Sequence, residues 1–340
     1  MRDKLTPKNI ILCLCICFLP LFMYGIDGIG KFLSEYRIDF GWPGGDYVLR
    51  IVVRACLYML LAVGLNIVCG FTGLLDLGYV AFYLIGGYTA GLLMQRLGIP
   101  YWFALPLAVL HGTVWGLLRG IPTLRLTGDY FAIVTFGFAE LFFRIVRNEQ
   151  WLIGAPNGQL RGIPAPSLSL PGIFKITFNQ NWHNYYHILI LLILVVFITY
   201  RLQNSRVGRA WVAIREDENA AESMGINVGR YKSLAFAVSA AIGALGGCFI
   251  AQFQVNISAP FFEFWESILI LCMVVLGGMG SIRGAMIGAV ILGSLGEILR
   301  EVLTQFTEYP ELAGARYLIF GIVLILLMRF RPGGLIYKKT

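Results

Sequence analysis

Histidine, charge and catalytic motifs are all scarce in this chain, and each shortage closes off a class of function. The three histidines, His111, His183 and His187, are too few and too scattered for a zinc site or a histidine-centred catalytic constellation. His183 and His187 are spaced for one helix face, which at a membrane interface reads as ordinary solvated histidine. No serine-centred elbow and no acidic pair argues for hydrolysis. Residues Gly25 to Lys31 have phosphate-loop spacing, yet Phe32 follows where a Ser or Thr should hold magnesium. Charged residues make up 14% of the 340 and hydrophobic ones 58%, with a mean hydropathy of +0.74. Those values exclude an ordinary soluble domain. Also missing are the ten-residue alternating segments that a transmembrane barrel needs.

Long apolar runs are what the chain does have. We read ten, at roughly 9–25, 48–70, 73–95, 101–118, 129–146, 186–200, 233–252, 264–281, 284–303 and 316–329. Lipid requires each backbone polar group to be satisfied within the protein, so these runs should be helices. The expectation is one all-α, polytopic membrane domain over 1–340, with both termini cytoplasmic. The first 25 residues resemble a signal peptide but lack a small-x-small cleavage site, so they read as an uncleaved first helix. All seven cysteines (Cys13, Cys15, Cys17, Cys56, Cys69, Cys248 and Cys272) fall within apolar runs. They read as packed thiols rather than metal ligands or a disulfide framework. No cofactor and no metal is expected.

Basic residues set the orientation. Segments assigned to the inside hold Arg2, Lys4, Lys8, Arg119, Arg125, Arg201, Arg206, Arg209, Arg215, Arg230, Lys232, Arg283, Arg329, Arg331, Lys338 and Lys339. That is most of the chain's 27 Lys and Arg, as the positive-inside bias predicts. The formal charge of +8 therefore speaks for anionic lipid and not for nucleic acid. Tyr47, Tyr101, Trp102, Trp182, Tyr185, Tyr186 and Tyr317 fall near span ends, as an interfacial belt would. The longest segments between spans are 147–185 outside and 201–232 inside.

Glycine is abundant, 40 residues, and clusters within the apolar runs. Gly87-x3-Gly91, Gly112-x3-Gly116-x3-Gly120 and Gly280-x3-Gly284-x3-Gly288 each put a flat strip on a helix face. Two readings follow: tight bundle packing, or interrupted helices lining a pathway. A shift of 207 places Val68, Gly70, Gly73 and Gly86 onto Val275, Gly277, Gly280 and Gly293, a possible internal repeat. Ionisable groups at membrane depth should face the bundle interior or water. They are Asp76 in the first glycine-rich break, Arg283 in the second, Asp129, Glu140 and Arg144 on one helix, and Glu297 and Arg300 on another. Each is open to a second reading as a helix-packing ion pair or an interfacial snorkel.

The segment from Arg201 to Lys232 stands apart from the rest. It carries six cations, the acidic run Glu216-Asp217-Glu218, and then Asn219-Ala220-Ala221-Glu222-Ser223-Met224-Gly225. An acidic first turn, small residues and a glycine stop describe a short exposed helix. A membrane protein offering such a helix to the cytosol is suited to docking a partner there.

Several blocks carry a resemblance. They are Gly64-Leu-Asn66 through Gly78, Gly128-Asp129 through Glu140, Pro156-Asn157-Gly158, Ile163-Pro164, Gly208-Arg209-Ala210 through Asn227, and Leu276 through Ser281. In this order the chain, from about residue 48 onward, resembles the permeases of branched-chain amino acid ABC transporters, and is closest to the longer of their two permease subunits. The resemblance implies a location in the cytoplasmic membrane. It also implies a second homologous permease, two ATP-binding cassette ATPases and an extracytoplasmic substrate-binding protein as partners, with ATP cleaved on those ATPases and not here.

It further implies an ATPase-coupling helix within 216–227, with Arg215, Glu218, Ala220, Ala221, Glu222, Met224 and Gly225 as the contact set. Asn219 stands where the general coupling pattern has Glu. Pathway candidates are Asn66, Thr72, Asp76, Thr135 and Glu140, chosen for polarity at membrane depth. Pro156, Asn157 and Gly158 are candidates for meeting the binding protein. Urea or short amides as solute, an ion-driven secondary transporter, and a receptor or scaffold stand as alternatives.

Overall fold

A computed structural model describes residues 45–305, apart from 125, 127, 155, 171–173 and 178–180, and a few isolated positions between 321 and 335. The spans read at 9–25 and 316–329, the lookalike phosphate loop, and Cys13, Cys15 and Cys17 lie outside the described residues. Cys56, Cys69, Cys248 and Cys272 are free and buried thiols.

Helix α1 (Gly45–Asn66) opens with Asp46 in its first turn, where the helix dipole favours a negative charge. It runs directly into a π turn, Ile67–Phe71. An irregular break over 72–79 leads to α2 (Val80–Arg96). Pro100 then starts α3 (Tyr101–Thr123), and Gly128, at φ 58°, precedes α4 (Asp129–Asn148). A short turn, α5 (Gln150–Ile153), is followed by α6 (Asn181–Gln203), α7 (Arg206–Glu216) and α8 (Glu218–Ser223). Next come α9 (Val228–Gln254), α10 (Phe264–Gly277) and α11 (Ile282–Gln305).

Among the described residues five segments are long and apolar enough to cross a membrane: Asp46–Phe71, Tyr101–Thr123, Asn181–Gln203, Val228–Gln254 and Ala259–Gly277. Helix α2 is shorter, at 17 residues, and α4 carries Asp129, Glu140, Arg144 and Arg147. In α11 the apolar part is Ile282–Gly296. The chain is therefore a helical protein with several membrane-crossing segments. Two expectations shift. The span read from 73 begins as helix only at Val80, because the break occupies the first seven positions. The loop read at 147–185 contains an antiparallel hairpin, β1 (Ser167–Leu170) paired with β2 (Phe174–Thr177), so the described residues are not wholly α. The alternation Ser-Leu-Ser-Leu in β1 is the two-residue period of a strand.

Close backbone contact organises the bundle. Helices α2 and α9 form its centre and are buried nearly all round, the condition of a helix apolar on every face. A Cβ on Gly86 would overlap the backbone of Ala244, and one on Gly247 would overlap that of Tyr83 and Gly87. Gly112, Gly116 and Gly120 lie against Ala244, Ala240 and Phe236 in turn, so this strip is the seam between α3 and α9. Gly277 and Gly284 meet backbone to backbone where α10 and α11 cross. Packing is thus the role of these strips. Outward, α3 shows Phe103, Leu107 and Leu110, α4 shows Tyr130 and Ile133, and α6 shows Ile190, Ile193 and Phe197. Such a continuous apolar exterior suits lipid or another membrane subunit.

The helices gather their connections at two ends. At one end the 67–79 segment, α7, α8 and the 278–281 break meet. At the other, Leu160 bridges Ile257, the Ile163 amide donates to the Val255 carbonyl at 2.9 Å, and Asn181 donates to Asp46 at 3.2 Å.

Candidate functional site

The first end is built around two breaks in helices. In the first, Thr72 Oγ1 donates back to the Val68 carbonyl at 2.7 Å, and Gly73 turns the chain at φ +75°. Asp76 is fully buried and accepts from the Gly78 amide at 2.9 Å. Its carboxylate also takes both arms of Arg119, at 2.9 and 2.6 Å. The Arg119 guanidinium lies over Phe82, 4.5 Å from the ring centre, with Phe236 and Phe138 at 5.5 and 5.7 Å. A bidentate pair flanked by aromatic faces is the setting in which buried Arg is best compensated. Thr135 of α4 accepts from the Leu77 amide at 3.2 Å. The first break is therefore fastened to α3 and α4.

The second break is shorter and depends on backbone freedom. Gly278 and Gly280 adopt φ of +112° and +86°, a region closed to most side chains. The Gly280 amide donates to Asn66 Oδ1 at 2.9 Å, so the last residue of α1 holds the second break directly. A Cβ on Gly70 would come within 2.5 Å of the Gly280 nitrogen. Only glycine permits this approach.

The polar segment between α6 and α9 folds as two short helices rather than one. Ser205 caps α7, its hydroxyl accepting from the Val207 amide at 3.1 Å and the Gly208 amide at 3.4 Å. Asp217 ends α7 and caps α8, accepting from the Ala220 amide at 2.9 Å. Gly225, at φ +85°, ends α8 in the left-handed conformation that helix stops favour. Asn227 then caps α9 by accepting from the Arg230 amide at 3.0 Å.

Two faces result. Ala221 turns inward against Ile214 and Val228, and Glu218 bonds Lys232 at 2.6 Å, whose side chain is itself buried. Ala220, Glu222, Met224 and Gly225 face outward, with Met224 84% exposed. Arg215 reaches the other way, donating to the Gly70 carbonyl at 2.7 Å.

Of the pathway candidates, Asn66, Thr72, Asp76 and Thr135 are all buried and come together around the first break. Glu140 does not join them. It lies half-exposed on the outer side of α4, ion-paired with Arg144 at 2.7 Å. Pro156 and Asn157 are exposed at the opposite end, with Asn157 at φ +56°. Gly158 is buried, and its carbonyl accepts from the Tyr88 hydroxyl.

Three residues were not singled out in the sequence for these roles. Arg119 reads there as a cation at a span end, and nothing local ties it to Asp76, 43 positions away. Trp211 and Lys232 are buried in a stretch that reads as solvated. Their signal is faint: Trp211 and Arg215 are four apart and share a helix face. His187, read as solvated at an interface, is buried against Tyr101, Trp102 and Phe249, with Gln252 Nε2 3.4 Å from its Nδ1.

Comparison with known proteins agrees with this architecture. Residues 47–328 match the family model described as "Branched-chain amino acid transport system / permease component". The chain is 38% identical over 304 residues to the high-affinity branched-chain amino acid transport system permease protein LivM of Salmonella typhimurium, covering 84% of this chain and 69% of that one. The LivM protein of Escherichia coli K12 matches to the same extent. The LivH permease of Salmonella typhimurium is 28% identical over 294 residues, 79% of this chain and 89% of its own. No solved structure matches. A family match spanning most of the helical bundle, with more than a third of residues shared with LivM, places this chain in the branched-chain amino acid transport permease family.

Proposed function

We propose that this chain is the permease subunit of an ABC importer that moves branched-chain amino acids across the cytoplasmic membrane. Its relatives' role in branched-chain amino acid transport systems supports the solute class. ATP is bound and cleaved on two partner ATPases, and this chain has no catalytic role of its own. A second, homologous permease completes the membrane unit, and an extracytoplasmic binding protein delivers solute.

The single observation that carries the coupling is the exposed helix Glu218–Ser223 at the end of the bundle where both breaks meet. The positive-inside bias supports a cytosolic location for that end. Ala220, Glu222, Met224 and Gly225 form the surface that an ATPase grips. Inward-facing Ala221 and the Glu218–Lys232 pair hold the helix to the bundle. The opposite end, with Pro156, Asn157 and the 167–177 hairpin, faces the binding protein.

Asn66, Thr72, Asp76 and Thr135 act by holding the break around which helices rock, the remaining route for them into the translocation step. Glu140, half-exposed and charged at membrane depth, is the pathway residue among the five, because a charged group there belongs on water or a partner rather than lipid.

The test is reconstitution in proteoliposomes with the partner permease, ATPases and binding protein. Uptake of labelled leucine, isoleucine or valine should require the ATPases and ATP. Uptake that persists without them rejects the ABC reading. Uptake of urea in preference to the amino acids rejects the solute.

A further inference from the structure

Helix α7 links α6 to α8, and its inner face is built onto the π turn that leads into the first break. Trp211 is fully buried. Its indole stacks on Phe71, with ring centres 6.3 Å apart and planes 11° from parallel, and its Nε1 donates to the Tyr231 carbonyl at 2.8 Å. One turn on, Arg215 Nη1 donates to the Gly70 carbonyl at 2.7 Å. Both contacts fall on the π turn Ile67–Phe71, a helix type that is rare and concentrates at functional sites.

Arg215 also touches both breaks. A Cβ on Gly73 would lie 2.9 Å from Arg215 Cγ, and one on Gly280 would lie 2.8 Å from Arg215 Nη1. The aliphatic stem thus passes over the first break, while the guanidinium sits against the second. Gly70 and Gly280 touch each other beneath it, joined through Asn66. Arg215 lies three residues before the first residue of α8, with Asp217 capping the turn between them, so a displacement of α8 bears directly on it.

Resting on the coupling role proposed above for α8, we propose that Arg215 is a positioning residue that transmits movement of the coupling helix into both breaks at once. Trp211 supplies the pivot and Arg215 the linkage. Displacing α8 pulls the guanidinium off the Gly70 carbonyl or drags that carbonyl with it. As long as that hydrogen bond holds, the two breaks shift together rather than separately. Asn66 joins the same region from the end of α1, through its side-chain oxygen on the Gly280 amide, and Arg215 is the link from the α7 side.

The experiment uses the full reconstituted transporter with Arg215→Ala, Arg215→Lys and, as a control on docking, Glu222→Arg. Three quantities are read: ATPase subunits retained on purification, ATP hydrolysed, and solute taken up. For Arg215→Ala the ATPases should stay bound, while uptake falls about tenfold, the scale of one lost charge-assisted hydrogen bond. ATP hydrolysed per solute moved should rise correspondingly. Arg215→Lys, which keeps one charged donor without the fork, should restore part of the coupling and decides the matter if the alanine variant does not reach the membrane.

Wild-type uptake per ATP in both variants overturns the linkage. Loss of bound ATPase in Arg215→Ala also overturns it, making Arg215 a docking residue. If Glu222→Arg leaves ATPase binding and uptake untouched, it is the docking role of α8 that fails, a separate result from either.

Discussion

The two breaks do similar work by different means. The first spans residues 72–79 and is held by side chains: Asp76 to Arg119, Thr135 to the Leu77 amide, Thr72 to Val68. The second spans 278–281 and is held by glycine conformation, by Ser281 accepting from the Gly284 amide at 3.1 Å, and by Asn66 at the end of α1. One break is anchored to the surrounding helices, and the other is anchored to the first. That asymmetry makes the first the more firmly anchored frame and the second the dependent part.

The largest expected effect comes from unpicking the frame. Asp76→Ala leaves Arg119 charged and buried without its partner, which should cost about 3–5 kcal/mol. Thermal unfolding of the detergent-solubilised protein should show it, with the double variant Asp76→Ala/Arg119→Met recovering most of the loss. Equal stability of the wild type and the single variant would mean that the first break is not anchored by this pair.

Next in size is Gly280→Ala. Alanine at φ +86° costs roughly 1–2 kcal/mol, and its Cβ would press on Arg215. Uptake should fall further than thermal stability, since the dependent break carries little of the fold. Asn66→Ala should cost a comparable amount, about 1–3 kcal/mol, because the Gly280 amide loses its acceptor. A loss confined to stability, with uptake per folded molecule unchanged, would separate the two breaks functionally.

The smallest effect is expected at Glu140. Its pair with Arg144 is exposed at one partner and half-exposed at the other, so Glu140→Gln should change stability by less than about 0.5 kcal/mol. Uptake kinetics, not unfolding, will report any pathway role.

Much of this was legible in the sequence where a local rule governs. The acidic start of α8, the Gly225 stop and the Gly112–Gly116–Gly120 strip follow from periodicity and backbone chemistry and appear where the pattern puts them. Gly280, by contrast, falls in the second break ahead of α11 rather than on a helix face. The break after Asn66 was visible as glycines, but its extent was not. Its length is fixed by Arg119, Thr135 and Arg215, which approach from three other helices. The same limit hid the partition of residues 216–227. Ala220 and Ala221 are adjacent and identical in chemistry, yet one faces outward and one packs on Ile214 and Val228, a distinction only tertiary structure makes. The hairpin at 167–177 was missed because two four-residue strands are too short to stand out in a loop. The two stretches aligned by the 207-residue shift each run helix, break, helix, with breaks of different length.

Met224, 84% exposed at the end of α8, offers the most direct measurement. With Met224→Cys carrying a thiol-linked photocrosslinker in the assembled transporter, illumination should join this chain to an ATPase subunit and stop uptake. Efficient labelling with no ATPase adduct, and uptake undiminished after illumination, would contradict the account.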